Sequence, residues 1–121
     1  MKYYDEEQTG EIRRALEKGI LSWPRVSKKE MMGCLCYFYG KKFFAFLVTK
    51  AVVITKLCED DRVKLSRQMN GEPFKMTGRT VKTWVRVDLK SSRDVKMVLP
   101  FIKTSYQASR SRGKFRKFGL S

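Results

Sequence analysis

The sequence predicts an α+β fold in two layers, an antiparallel sheet of about five strands packed against three helices in the order α-β-β-β-α-β-β-α. Three patterns carry that expectation. Apolar residues recur at helical spacing near both ends, aromatic and β-branched residues broken by two tight-turn dipeptides fill the middle, and a stretch of two-residue alternation follows. At 121 residues, 42% of them apolar, the chain can bury one hydrophobic core and is too short for two ordinary domains. Residues 1–109 read as the domain and residues 110–121 as a basic tail.

The first helix is expected between Asp5 and Ile20, where Ile12, Ala15, Leu16, Gly19 and Ile20 fall on one face. Acids crowd its first turns, where the helix dipole favours them. Gly19 and Pro24 bracket its end, and Ser22 to Glu30 reads as a connector. From Cys34 to Leu57 three strands are expected, joined at Gly40-Lys41 and Thr49-Lys50. In the first of them Cys34, Cys36 and Phe38 share one face, and Leu35, Tyr37 and Tyr39 share the other.

Glu59-Asp60-Asp61 open a second helix that ends at Asn70-Gly71, with the glycine as the expected left-handed cap. Glu72 to Thr80 reads as an irregular arm or edge strand. Val81 to Val87 alternates as another strand, with Val81, Thr83, Val85 and Val87 opposed to Lys82, Trp84 and Arg86. Ser91 with Asp94 resembles a capping box, and Val95, Val98, Leu99, Ile102 and Tyr106 extend a third helix to about Ser109. Pro100 lies inside it and is expected to kink it or begin a new turn.

No histidine is present, which removes the commonest general base and the commonest metal ligand together. Cys34, Cys36 and Cys58 are an odd number, as suits a reducing compartment, and they read as buried free thiols without a metal. Glu59, Asp60 and Asp61 point in different directions from one helix start, so capping explains them better than paired-carboxylate chemistry. No glycine pattern fits a nucleotide loop. A non-enzymatic protein with no cofactor and no small-molecule substrate is expected. Apolar stretches such as Phe43–Val48 fall far below the ~20 residues of a membrane helix, and Lys2 runs straight into Asp5, Glu6 and Glu7, unlike a signal peptide. A cytoplasmic protein with no membrane partner is the expectation.

The net charge is +15, and residues 62–121 hold 16 of the 27 cations but only 3 of the 12 acids. An imbalance of that size points to an anionic partner, either nucleic acid or an acidic protein surface. Within it, Lys82, Trp84 and Arg86 form one candidate nucleic-acid site, an aromatic flanked by cations on one strand face. A tryptophan packed under a helix, with cationic stems lying over it, is the competing account. The tail is the second candidate: Arg110, Arg112, Lys114, Arg116 and Lys117 can displace condensed counterions beside Phe115 and Phe118. A solvated tail competes with that reading. Tyr37, Tyr39, Phe44 and Phe46 offer an aromatic surface for a homodimer through the sheet, with complete burial in the monomer as the alternative.

Met31-Met32-Gly33, then Cys36-Tyr37 and Phe43-Phe44-Ala45-Phe46-Leu47, resemble the Met-Phe-Gly opening and first two strands of the TfoX N-terminal domain family of competence regulators. Ile54-Thr55-Lys56-Leu57 with Glu59-Asp60-Asp61-Arg62 is similar to that family's third strand and following helix. Glu72-Pro73-Phe74, Gly78-Arg79 and Lys82-Thr83-Trp84-Val85-Arg86-Val87 continue the likeness, which covers roughly residues 12–106. It implies a five-stranded antiparallel sheet and a non-enzymatic role tied to transcriptional regulation; taken with the basic charge, the expected partner is nucleic acid or an acidic protein of the transcription machinery. Met32 stands where the family usually has Phe, and the basic tail stands where full-length regulators continue into a helical domain. Ser105-Tyr106 also resembles a step of the MmcQ/YjbR family.

Overall fold

The computed structural model describes residues 6–31, 33–48, 51–76 and 78–110. Its elements run α1 (Glu6–Ile20), β1 (Val26–Met31), β2 (Cys34–Tyr39), β3 (Lys42–Val48), β4 (Ala51–Ile54), α2 (Glu59–Met69), β5 (Glu72–Met76), β6 (Arg79–Asp88) and α3 (Ser92–Arg110). The strands form one antiparallel sheet in the order β1-β2-β3-β4-β6-β5. The α+β arrangement is the expected one, with six strands where about five were expected.

The additional strand is β1, inside the segment that reads as a connector. Its backbone pairs with β2 along its whole length, from Val26 opposite Tyr39 to Met31 opposite Cys34. Only Val26 is partly buried. An edge strand of this kind is held by ladder hydrogen bonds and needs no apolar alternation, and its lysines suit an edge that must resist pairing with other chains.

All three helices pack on one face of the sheet. Leu16 and Ile20 of α1, Leu65 of α2, and Val95, Val98, Ile102 and Tyr106 of α3 close over Tyr37, Phe44, Leu47, Val52, Ile54, Val85 and Val87. Each such side chain removed from water contributes roughly 1.5–3 kcal/mol. Gly19 lets α1 approach α3: a Cβ there would stand 3.1 Å from Leu99 Cδ1. Two polar devices tie the layers together. Buried Glu17 accepts hydrogen bonds from Arg13 Nη1 (2.9 Å), Lys28 Nζ (3.1 Å) and Tyr37 Oη (2.8 Å), joining α1 to β1 and β2. Ser105 Oγ donates to the Phe44 carbonyl (2.7 Å) and accepts from the Lys56 amide (3.0 Å).

One local expectation, the cap of α2, is corrected. Asn70, with φ at 55°, takes the left-handed cap of α2, and Gly71 follows it. Glycine at 71 answers a close approach instead, since a Cβ would meet Val85 Cγ1 at 2.8 Å. Pro100 lies within one continuous α3. Pro100 and Lys96, four residues before it, are both exposed, so the carbonyl that loses its helical donor lies on the wet side of the helix. Of the capping box, Asp94 Oδ2 accepts from the Lys90 amide at 2.8 Å. Among the described residues no helix is long and apolar enough to cross a membrane.

Candidate nucleic-acid interface

The sheet face turned away from the helices carries a second apolar cluster. Cys34, Cys36, Phe46, Val48, Ala51 and Val53 are buried in it, with Phe38, Phe43, Phe74 and Trp84 partly buried against them. Among the described residues no helical residue belongs to this cluster. Its side chains cover one another, and the four partly exposed rings form its outer surface.

A register shift builds the aromatic part. The β2–β3 pairing steps from Tyr37–Ala45 to Phe38–Phe43, leaving Phe44 as an extra residue. Phe44 and Ala45 then both serve the helix-side core, while Phe43 and Phe46 serve the open face. Phe38 and Phe43 lie with ring centroids 6.0 Å apart, and Phe43 and Trp84 meet edge to face at 5.6 Å. Phe46 stands edge-on to Trp84 at 5.6 Å and to Phe74 at 5.4 Å. Such contacts fix ring planes, each adding about 0.5–1.5 kcal/mol beyond burial.

Charge on this face is graded along the strands. Along β6 the order is Lys82, Trp84, Arg86, Asp88, and the pairings of Val53 with Arg86 and Ala51 with Asp88 set Asp88 at one end of the sheet. Glu72 lies beside Arg86. Arg86 Nη2 contacts Asp88 Oδ1 at 3.3 Å, an exposed pair that ties its charge inward. Lys82 is exposed at the opposite end, which also carries the β2–β3 turn.

That turn end is strongly basic. Lys42 pairs with Tyr39, Lys41 lies in the turn, and Lys56 follows β4, anchored through its amide to Ser105. Burial lowers the Lys56 amine from its ordinary value, and the charge of Lys42 lowers it further. Arg25 lies over the Tyr39 ring at 5.8 Å and Arg110 over Tyr106 at 5.6 Å, and those rings touch edge to face at 5.8 Å. The acids nearest in sequence, Glu59, Asp60 and Asp61, sit in the first turn of α2, and Asp61 accepts from Cys58 Sγ at 3.3 Å.

The expected site residues separate accordingly. Trp84 and Arg86 share the open face, where Arg86 lies opposite Val53, whereas Lys82 falls in the irregular stretch of β6 between the Val81 and Val85 pairings; Trp84 packs against phenylalanines of the sheet, with no described helix over it. Arg110 joins the basic end, whereas Arg112, Lys114, Arg116 and Lys117 lie outside the described residues. Tyr37, Tyr39, Phe44 and Phe46 do not compose one surface. Tyr37 and Phe44 are fully buried beneath the helices, Tyr39 packs on Tyr106, and Phe46 belongs to the opposite face. Phe38, Phe43, Phe74, Lys41 and Lys42 were not singled out from sequence. The alternation that placed Phe38 with Cys34 and Cys36 was the available signal, but the shift that turns Phe43 to the same face leaves no trace in composition.

Cys34 and Cys36 are buried free thiols on the open face, and burial, then the neighbouring Cys34, pushes Cys36 up to about 11. Cys58 corrects the expectation of burial: it is exposed at the start of α2, beyond the end of the sheet opposite Cys34. Among the described residues no three His, Cys, Asp or Glu side chains are grouped to hold a metal ion.

No curated protein and no solved structure matches the chain. A family model does, that of the TfoX N-terminal domain, over residues 20–109. That span runs from the end of α1 through β1 to all but the last residue of α3, so it takes in both the aromatic face and the basic end. The family fits a regulatory, competence-related role and is not a known enzyme family. By the extent of that match and the order of its elements, this chain belongs to the TfoX N-terminal domain family.

Proposed function

We infer that this is a non-catalytic regulatory or adaptor protein, related to transcription, that acts by binding nucleic acid at the basic end of its sheet. One observation carries the reading: an aromatic face that no described helix covers is bordered at one end by Lys41, Lys42, Lys56 and Lys82, and the sequence continues from Arg110, at that same end, into four further cations. Such a surface attracts a polyphosphate by counterion release, with affinity that falls steeply as salt rises. An acidic protein surface answers the same charge but gives no use to the rings.

The test is a titration of fluorescent oligonucleotides, single-stranded and duplex, at two salt concentrations. The full chain is compared with a full-length variant in which Arg112, Lys114, Arg116 and Lys117 are glutamine. Binding with a steep salt dependence, shallower in the variant, is expected. Absence of binding at micromolar protein under low salt would overturn the reading. The second reading, a protein-interaction module dimerising through the sheet, draws on the same uncovered face, and sedimentation of the free protein measures it.

A further inference from the structure

We propose that the uncovered sheet face is a platform for unpaired nucleotides, with bases stacked on Trp84 and the phenylalanines beside it and phosphates drawn to Lys82, Lys42 and Lys41. The proposal rests on the nucleic-acid reading above and names which form of nucleic acid the face selects. Phe38, Phe43, Trp84 and Phe74 come from four different strands and make a continuous aromatic surface, with successive centroids 6.0, 5.6 and 6.1 Å apart. All four are partly exposed, so each offers ring surface to a ligand.

A duplex hides the faces of its bases within its own stack and shows an aromatic sheet only its backbone. Unpaired bases present their π-faces, and stacking them on protein rings is tolerant of sequence. Sheets that bind single strands in this way seat about two or three bases across their central strands. Four strand spacings separate β2 from β5, about 19 Å, which is enough for that number.

The charge gradient gives the polarity. Lys82 is exposed two residues before Trp84, at the turn end of β6, and Lys42 directly precedes Phe43 at that same end. The only acids placed on this face by the described strand pairings are Glu72 and Asp88, both at the far end, and Asp88 already holds Arg86. A second copy of the chain laid on the face would therefore bring little negative charge to its basic end. A phosphate backbone meets it fully.

The experiment uses the full chain with an oligothymidylate of twelve nucleotides and a hairpin duplex of equal charge. Single-strand affinity at least tenfold above that of the duplex is expected, with tryptophan emission quenched on binding. Trp84→Phe loses that part of the quench, since Trp23 lies on the helix side of the sheet, and weakens binding less than removal of the ring does. Trp84→Ala weakens single-strand binding by about tenfold, and circular dichroism confirms that it is folded. Lys82→Glu, at an exposed position, gives a second measure and reduces affinity without altering the quench.

Equal affinity for the duplex with no tryptophan quench would overturn the stacking platform while leaving the nucleic-acid reading standing. Failure of both probes to bind would remove both. A dimer that persists on dilution and shields Trp84 from acrylamide would assign the face to a second copy and overturn the proposal.

Discussion

Replacing Ser105 with alanine removes one hydroxyl that joins three segments. Ser105 is fully buried, and its Oγ holds α3 to the Phe44 carbonyl of β3 and to the Lys56 amide leading into α2. The two partners are affected unequally. The Phe44 carbonyl also accepts from the Thr55 amide at 3.2 Å and keeps that bond, so the cost falls mainly on the Lys56 N–H. A buried donor left without an acceptor costs about 1–3 kcal/mol, and because Lys56 is only partly buried the lower part of that range applies. For a domain of this size, roughly 4 °C of melting temperature per kcal/mol gives a fall of roughly 4–8 °C. Urea unfolding followed by circular dichroism measures it, with the m-value unchanged. Thr104→Ala is the control, because its exposed hydroxyl bonds only the Pro100 carbonyl one turn back, and it changes stability by less than about 0.5 kcal/mol. Wild-type stability in Ser105→Ala, with unaltered hydrogen exchange at the Lys56 amide, would refute this account of the joint.

Gly71→Ala places a methyl 2.8 Å from Val85 Cγ1 and 3.4 Å from Leu65 Cγ, and thermal melts should show a loss of about 1–3 kcal/mol from overpacking. A neutral result would mean that β6 yields there. At pH 8 an alkylating reagent should label Cys58 first, with Cys34 and Cys36 protected until the chain unfolds, as mass spectrometry of timed samples reports. The folded protein holds the Cys36 proton from the ordinary value of 9.0 up to about 11. Its contribution to stability is thus complete below pH 9 and is lost as pH rises towards 11, which denaturant melts across that window check. Lys82→Glu should weaken oligonucleotide binding more than Arg86→Glu and lower the salt slope, because Asp88 already occupies the Arg86 guanidinium. Equal losses would place both cations on the ligand.

Much of the fold was legible because the signals are local. Leu16 and Ile20, or Val98 and Ile102, recur at the helical period, and Cys34, Cys36 and Phe38 alternate at the strand period, so each element declares which side it buries. β1 did not declare itself, because an exposed edge is stabilised by its partner's backbone and leaves no apolar pattern in Val26–Met31. The cap at Asn70 was displaced by one residue for a similar reason, since the demand for glycine at 71 comes from Val85 on a distant strand.

The sequence by itself determined that the protein is basic, free of histidine, patterned for an α+β fold and richest in cations toward the carboxyl end. Which side of Trp84 meets solvent was decided only by the tertiary structure. Three helices dock on the same face, so the ring that reads equally well as a core residue ends on the uncovered one. The pairing order then gathers Lys41, Lys42, Lys56 and Lys82 at one end and couples Arg86 to Asp88 near the other. Strand order and register are long-range properties of the folded chain, and only they bring residues forty positions apart into one charged surface.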